Sequence, residues 1–293
     1  MLGDEKGKIW IDGQMVEWAD AKIHVLSHTL HYGSGVFEGE RAYRGKIFRM
    51  QEHHERLHAS AKMTGFDLPY TVEEINKAAE EVLKINGLTE AYVRPVAWHG
   101  AESLSVASLA NSVHVAIAAW KWASYFDTKE GAAPGIRLMW SDYVRPAPNV
   151  GPVFAKANGQ YISGMLGKNK AMKAGYDDAL MLDYRGYVAE CTGANIFMVK
   201  GGVLITPIAD CFLNGITRKT VIEMAHERGI PFMEKHFYPD ELAHADEVFI
   251  AGTAVEVQPI AEIGTQKYTT GPITRRMIEA YTKRVNGEDR KNA

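Results

Sequence analysis

Residues 153–161 read Val-Phe-Ala-Lys-Ala-Asn-Gly-Gln-Tyr, which places Lys156 between an apolar segment and the start of a helix. The preceding stretch, 145–152, is rich in proline and predicts a loop, whereas a helical pattern begins at about Gln160. A lysine held beside apolar residues is suited to act as a nucleophile. Most lysines are solvated, so this stretch by itself does not establish a function.

The residues around Lys156 predict an α/β arrangement over 136–293, because apolar strand patterns alternate there with helical ones. Strands are expected at 136–140, 179–182, 196–199 and 247–250, and helices from 160, over 217–228 and over 272–285. We therefore predict a larger C-terminal domain, 136–293, that carries Lys156.

The first half predicts an α+β domain over residues 1–124. Two hairpins are expected, within 8–18 and 41–50, where Asp12-Gly13 and Arg44-Gly45 form the turns. Thr71-Val-Glu-Glu74 is a capping box before a helix, and strands are expected at 91–98 and 112–122. Residues 125–135 lack a hydrophobic period and predict an interdomain loop.

The composition is that of an ordinary globular protein, and it favours a small-molecule ligand. Lys plus Arg (33) nearly balances Asp plus Glu (36), which argues against nucleic acid as a partner. No apolar run approaches the length that spans a bilayer, so no membrane partner is expected. The N-terminus does not read as a secretory signal, and two cysteines are too few for a disulfide framework, so we expect a cytoplasmic protein.

One generic motif points to a different chemistry. His54-Glu55-x-x-His58 fits the helix of zinc peptidases, in which two histidines bind metal and the glutamate activates water. The polar residues that flank the motif, such as Glu52 and Lys62, do not favour a buried metal site. We interpret the motif as a solvated helix, predict no metal, and keep a zinc hydrolase as a distant alternative.

Other residues support a pyridoxal-type site around Lys156. Glu190 ends a strand pattern, and such a carboxylate is needed beside the ring nitrogen in pyridoxal chemistry. Thr217 opens a helix and Thr253 follows a strand, so each offers backbone N–H groups and a hydroxyl to a phosphate. Arg56 could add a positive charge to the same phosphate. Taken singly, each residue also has an ordinary structural explanation.

Together these residues resemble the branched-chain amino-acid aminotransferases of the fold-type IV (class IV) pyridoxal-phosphate family. The resemblance is carried by an ordered set of motifs along most of the chain. The motifs are His28-Thr-Leu-His-Tyr-Gly33, Val36-Phe-Glu-Gly39 with Arg41-Ala-Tyr43, Arg56-Leu-His58, Ala91-Tyr-Val-Arg-Pro95, Ala155-Lys-Ala157 with Tyr161, Glu190 with Gly193 and Asn195, Leu213-Asn-Gly-Ile-Thr-Arg218, and Ala251-Gly-Thr-Ala254.

The resemblance implies a two-domain enzyme, like the D-amino-acid aminotransferases in fold, with pyridoxal 5′-phosphate at the domain interface. Lys156 would carry the cofactor as an imine and act as the catalytic base and acid, and Glu190 would pair with the pyridine nitrogen. The remaining cofactor contacts implied are Arg56, Tyr161, Asn195, Leu213, Ile216, Thr217 and Thr253.

The resemblance also implies a substrate class. The expected reaction is transfer of the amino group of leucine, isoleucine or valine to 2-oxoglutarate. Arg94 would pair with the distal carboxylate of glutamate, since a guanidinium binds carboxylates in bidentate fashion. The other residues implied in substrate binding are Tyr32, Phe37, Tyr92, Trp122, Tyr125, Gly252, Thr253 and Ala254.

Three residues depart from the family pattern and leave the substrate preference less certain than the cofactor. Cys191 and Ala194 interrupt the usual glycine- and glutamate-containing motif, and Ser105 replaces a common glycine in a loop that the family inserts into the partner subunit. A homodimer, or a larger oligomer of dimers, is therefore expected. Alternatives are a D-amino-acid or (R)-amine transaminase of the same fold, and a binding protein that retains the motifs without activity.

Overall fold

The computed structural model describes residues 5–122 and 135–289. Contacts between Cα atoms divide the chain into two compact units. The first comprises Met1–Ala123 with Phe154–Gln160, and the second comprises Ser124–Val153 with Tyr161–Ala293. Of the interdomain loop expected at 125–135, only Gly135 lies within the described residues.

The first unit combines an antiparallel sheet with helices. Its elements, within residues 5–122, are β1 (Lys8–Ile11), β2 (Gln14–Glu17), α1 (His28–Tyr32), β3 (Gly35–Phe37), β4 (Glu40–Tyr43), β5 (Lys46–Ile47), α2 (Met50–Met63), α3 (Val72–Ile85), β6 (Ala91–His99) and β7 (Val113–Lys121). The strand order is β2-β1-β7-β6-β4-β5, and β3 also pairs with β6. Both predicted hairpins are present, and both central residues of each turn have positive φ, as a two-residue type I′ turn requires.

Helix α3 covers one face of this sheet. The predicted capping box is present, because Thr71 Oγ1 accepts a hydrogen bond from the Glu74 N–H and Glu74 accepts one from the Thr71 N–H. Ile75, Ala79 and Val82 are fully buried and lie in the core that the strands form. Their spacing of three to four residues places them on the same face of the helix.

Helix α2 differs from the prediction of a solvated helix, which was wrong. His53, His54, Leu57, Ser60 and Ala61 are all buried. They recur at helical spacing and form one stripe, whereas Glu55 is exposed. The histidines were misjudged because each is paired with a buried carboxylate elsewhere in the chain.

The segment that contains Lys156 packs with the first unit, although the sequence placed it in the second domain. Ala155 and Ala157 are 4% and 5% exposed and belong to the first core. Val36 and Ala157 form an antiparallel bridge, which extends strand β3 onto this segment. Small side chains and strand pairing, rather than position along the chain, therefore decide where this segment lies.

The second unit contains strands that alternate with helices. Its elements, within residues 135–289, are β8 (Ile136–Trp140), α4 (Ile162–Lys173), which follows a short 3-10 turn at Asn158–Tyr161, β9 (Asp178–Leu182), β10 (Val188–Cys191), β11 (Asn195–Lys200), β12 (Val203–Thr206), α5 (Ile216–Glu227), β13 (Phe232–Glu234), α6 (Pro239–Ala243), β14 (Glu247–Gly252), β15 (Glu256–Ile263), β16 (Gln266–Lys267) and α7 (Pro272–Val285).

The strands of the second unit form a closed ring. Strand β10 pairs with both β9 and β11, so that β10, β9, β8, β15, β14 and β11 close on one another. The β8 pairings with β9 and β15 are parallel, and the others in the ring are antiparallel. Core residues such as Leu138, Leu180, Ile196 and Ile250 are fully buried. Within the described residues, no helix is long and apolar enough to cross a membrane.

Candidate active site

Glu190 lies at the junction of β10 and β11 in the second unit and is nearly buried, at 6% exposure. Arg145 Nη2 lies 2.9 Å from Glu190 Oε1, and Asn195 Nδ2 donates a hydrogen bond of 3.0 Å to Oε2. The register pairs Glu190 with Asn195 across the two strands, which brings their side chains together. Glu190 is thus a buried carboxylate held by a cation and an amide.

Asn195 also connects Glu190 to the loop before α5. Its Nδ2 donates to the Leu213 carbonyl at 3.0 Å, and its Oδ1 accepts the Gly215 N–H at 3.2 Å. A Cβ at Gly215 would lie 2.3 Å from this Oδ1, so the connection requires glycine. Asn195 therefore couples the carboxylate to the start of α5.

The N-terminus of α5 can receive an anion. Gly215 is the N-cap residue, and no side chain caps this helix end. The first helical residues, Ile216 and Thr217, are each 3% exposed. Unpaired N–H groups and the helix dipole favour a negative charge at such an end, so the geometry suits a phosphate.

A second turn with small residues follows β14. Gly252 ends the strand, and Thr253 and Ala254 form the turn that leads to β15. A Cβ at Gly252 would lie 3.2 Å from the Ala194 Cβ, so this turn lies close to the turn between β10 and β11, which contains Ala194. Tyr161 belongs to the same unit, at the N-cap position of α4, and its side chain makes no capping hydrogen bond. All of these residues except Ala194 are partly exposed.

The three departures from the family pattern cause no strain here. Cys191 is fully buried in the core of the second unit, and burial raises the pKa of its thiol well above the ordinary value. Ala194 is 5% exposed and belongs to the same core. Ser105 is not among the described residues with positive φ, so its position does not require glycine.

In the first unit, backbone hydrogen bonds hold Lys156. Its N–H donates to Ser60 Oγ at 3.0 Å, and its carbonyl accepts the Phe37 N–H at 3.0 Å. Its Nζ lies 4.8 Å from the centroid of the Phe37 ring. These contacts present a primary amine beside an aromatic side chain.

Aromatic residues surround Arg94 in the same unit. The Arg94 guanidinium carbon lies 4.6 Å from the Phe37 ring centroid, and its Nη2 donates to the Tyr92 hydroxyl at 3.1 Å. The Tyr92 and Trp122 rings lie 4.8 Å apart. Trp120, which the sequence did not identify, also contacts Tyr92, at 5.2 Å. Trp120 lies in β7 and Trp122 directly follows the strand, so the spacing of two residues in the sequence could have revealed Trp120.

The other substrate residues expected in this half are more exposed or lie beyond the described part of the chain. Tyr32 is 48% exposed, and its hydroxyl donates to the Leu104 carbonyl at 3.0 Å. This bond ties Tyr32 to the loop that contains Ser105. Tyr125 lies outside the described residues.

Arg56 is paired with a buried carboxylate that sequence reasoning missed. Arg56 Nε and Nη2 lie 2.6 and 2.8 Å from the two oxygens of Glu38, and His53 Nδ1 lies 2.6 Å from Glu38 Oε2. Glu38 is fully buried; burial raises its pKa, but the charges of Arg56 and His53 outweigh this and hold the pKa far below the ordinary value. A glutamate among apolar strand residues was the signal available in the sequence.

The zinc motif does not assemble a metal site. His54 Nδ1 bonds Asn76 Oδ1 at 2.5 Å, and its Nε2 lies 3.0 Å from Glu40 Oε1. Within residues 5–122 and 135–289, the possible metal-ligand cluster is Asp183, Asp210 and His236, far along the chain from this helix. Arg185 pairs with both aspartates of that cluster. An internal cation thus already neutralises it.

Known proteins resemble the chain over its length. The family model described as amino-transferase class IV matches residues 35–263. A branched-chain-amino-acid aminotransferase of Pseudomonas aeruginosa is 44% identical, over 100% of this chain and 97% of the relative. The solved Escherichia coli branched-chain amino acid aminotransferase superposes with a TM-score of 0.94 at 39% identity, covering 98% of this chain and 97% of that one.

A third similar protein was solved with ligands. This T.th. branched-chain amino acid aminotransferase, complexed with N-(5′-phosphopyridoxyl)-L-glutamate, superposes with a TM-score of 0.92 at 41% identity. It covers 97% of this chain and 95% of that one. The same enzyme was also solved with 4-methylvaleric acid.

Proposed function

This chain belongs to the class IV aminotransferase family, and on that premise we propose that it is a pyridoxal-phosphate-dependent transaminase of branched-chain L-amino acids. The matches to known proteins confirm the family resemblance that the sequence showed. One observation carries the proposal furthest. Glu190, Asn195 and the uncapped start of α5 form a connected set that suits a cationic ring nitrogen and an anionic phosphate.

The residues present fit the cofactor. Glu190 would accept a hydrogen bond from the protonated pyridine nitrogen and keep it cationic, and the backbone N–H groups of Ile216 and Thr217 would hold the phosphate. The other cofactor contacts that we propose in the second unit are Thr253, Tyr161 and Leu213. In the first unit, we propose that Arg56 binds the phosphate. When bound, pyridoxal phosphate supplies an electron sink that makes the substrate Cα–H acidic.

Lys156 performs the proton transfer in this proposal. Its amine would hold the cofactor in the resting enzyme, and when free, Nζ would take the proton from the substrate Cα as a general base and return it as a general acid. The Ser60 and Phe37 hydrogen bonds hold its backbone in place during this step. Because these hydrogen bonds fix the Lys156 backbone before the reaction, less conformational entropy is lost when the amine is oriented toward the substrate.

The substrate residues favour apolar side chains and also a second carboxylate. Phe37, Tyr92 and Trp122 offer aromatic surface to leucine, isoleucine or valine. Arg94, held against Phe37 and Tyr92, would pair with the distal carboxylate of glutamate or 2-oxoglutarate. A glutamate adduct and a branched acid bound to the T.th. relative support both halves of this specificity.

We also propose that the enzyme is a cytoplasmic homodimer. Val25, Val106 and Leu109 are 71%, 79% and 94% exposed, and apolar residues at this exposure favour a covering surface. Size-exclusion chromatography with light scattering tests this, and a monomer at micromolar concentration would contradict it.

Visible absorbance of the purified protein tests the activity. We expect a yellow protein whose band shifts when L-leucine is added and returns when 2-oxoglutarate follows. Lys156→Ala should abolish the shift, because no other residue is proposed to move the α-proton.

Parallel additions separate the alternatives. D-Alanine and an (R)-arylamine should leave the spectrum unchanged, and a response to these two alone would establish the D-amino-acid or (R)-amine transaminase instead. Colour without a response to any amine would indicate a binding protein, and stoichiometric zinc without colour would indicate the hydrolase.

A further inference from the structure

Two buried glutamates lie beside helix α2 and face consecutive histidines. Glu38 contacts His53 at 2.6 Å, and Glu40 contacts His54 at 3.0 Å. Both carboxylates are fully buried, and both histidines are nearly so. Glu38 and Glu40 are two residues apart in an extended segment, so the two pairs are close structural equivalents.

The two pairs lead to different residues. Glu38 accepts two hydrogen bonds from Arg56, from Nε at 2.6 Å and from Nη2 at 2.8 Å. His54, the partner of Glu40, leads instead to Asn76 of α3 at 2.5 Å. A two-point contact to Nε and Nη2 determines the rotation of the planar guanidinium, which a single contact does not.

We propose that Glu38 is a positioning residue that orients Arg56 for the cofactor phosphate, with His53 holding Glu38 in turn. This inference rests on the proposed function, in which Arg56 binds that phosphate. Glu38 itself need not touch the cofactor. Its part is to immobilise a long side chain before the ligand arrives.

The effect follows from preorganisation. An arginine side chain has much rotamer freedom, and a binding site that must order it upon binding loses affinity. With Glu38 present, the guanidinium is already oriented, and Arg56 retains its charge because its pKa lies far above neutrality. Loss of this order should weaken phosphate binding by about tenfold, the size expected for immobilising one such side chain.

The test compares cofactor binding with and without the phosphate. Dissociation constants of pyridoxal phosphate and of pyridoxal are measured by fluorescence titration of the apoenzyme, and their ratio reports the contribution of the phosphate. Glu38→Gln keeps the shape of the side chain but replaces one carboxylate oxygen with an NH2 group. The side chain can then accept only one of the two hydrogen bonds from Arg56. We expect the preference for the phosphorylated form to fall about tenfold, while pyridoxal affinity is unchanged.

Glu40→Gln is the matched control, because Glu40 is equally buried and also faces a histidine of α2. Its preference for the phosphorylated form should equal that of the wild type. An unchanged preference in Glu38→Gln, or an equal fall in Glu40→Gln, would overturn the proposal. If Glu38→Gln does not fold, Glu38→Asp keeps the charge and withdraws the carboxylate by one methylene, and it should lower the preference as well.

A double-mutant cycle shows whether Glu38 acts through Arg56. If it does, Glu38→Gln in an Arg56→Met background changes the preference no further, whereas independent effects would multiply and contradict the proposal. A wild-type protein that binds pyridoxal phosphate no more tightly than pyridoxal would refute the proposed function itself. Failure of the positioning role alone leaves wild-type binding strong and phosphate-dependent.

Discussion

Replacement of Arg145 by methionine tests the energetic role of the cation that holds Glu190. The Arg145 and Glu190 side chains are 10% and 8% exposed and lie 2.9 Å apart. Methionine preserves much of the aliphatic volume of arginine but leaves the carboxylate without its cation. Asn195 remains as one hydrogen-bond partner.

The expected loss is large because the pair is buried. Removing one member of a buried ion pair costs about 3–5 kcal/mol, since an uncompensated charge stays in a medium of low dielectric constant. One charge-assisted hydrogen bond from an amide offsets only part of this, so we expect the free energy of unfolding to fall by about 3 kcal/mol.

Arg137→Met is the matched control. Arg137 pairs with Glu262 at a similar distance, 2.8 Å, but the side chains are 46% and 18% exposed. A solvent-exposed pair is worth about 0–1 kcal/mol. Urea denaturation, followed by circular dichroism in the absence of cofactor, measures both variants under the same conditions.

A double variant separates charge burial from lost packing. Arg145→Met with Glu190→Gln leaves no uncompensated charge, so it should recover at least half of the stability that Arg145→Met loses. The reasoning is refuted if Arg145→Met costs no more than Arg137→Met, or if Glu190→Gln adds to the loss instead of relieving it.

Four further outcomes are expected. Arg94→Met should lower kcat/KM for 2-oxoglutarate by about 10- to 100-fold and change kcat/KM for L-leucine by only a few-fold, because only 2-oxoglutarate loses a charge-assisted pair. Equal losses of kcat/KM for the two substrates in steady-state assays would contradict this. Burial lowers the pKa of His54, but Glu40 outweighs this effect and raises the pKa above 6.5. Protonated His54 therefore stabilises the fold fully below pH 6.5, and this stabilisation is lost as the pH rises through the folded-state pKa. Urea denaturation across about pH 6–9 should show the free energy of unfolding falling with pH in the wild type and not in His54→Gln. Gly271→Ala should destabilise by about 1–3 kcal/mol, because its Cβ would lie 2.2 Å from Glu247, which accepts the N–H groups of Ile273 and Thr274; Gly193→Ala, where a Cβ meets nothing within 4 Å, is the control in the same urea titration. Thr71→Ala should cost about 1 kcal/mol through loss of the capping box, and no change in the urea midpoint would count against it.

Much of the candidate site was accessible from the sequence because its residues lie in short motifs. Lys156, Glu190 and Arg56 each stand in a motif of a few residues whose order along the chain matches the family. Their roles at the cofactor stay proposals. What the sequence could not show was the set of partners that holds them, such as Arg145 for Glu190 and Glu38 for Arg56.

Local pattern also determined most of the secondary structure. The helix expected at 272–285 is observed at Pro272–Val285, and both hairpins form at the expected turns. Hydrophobic period and turn residues act over a few positions, so they are legible without the rest of the chain.

The tertiary structure alone decided which side chains share a buried environment. One side of the polar helix α2 is buried because Glu38 and Glu40 contact its histidines. The segment that contains Lys156 packs in the first core through Ala155 and Ala157. A charged residue is buried at low cost only where an opposite charge or several hydrogen bonds compensate it, and these partners depend on distances in space. The sequence by itself determined most of the elements and the family, while the folded chain determined how the buried charges of each unit are held.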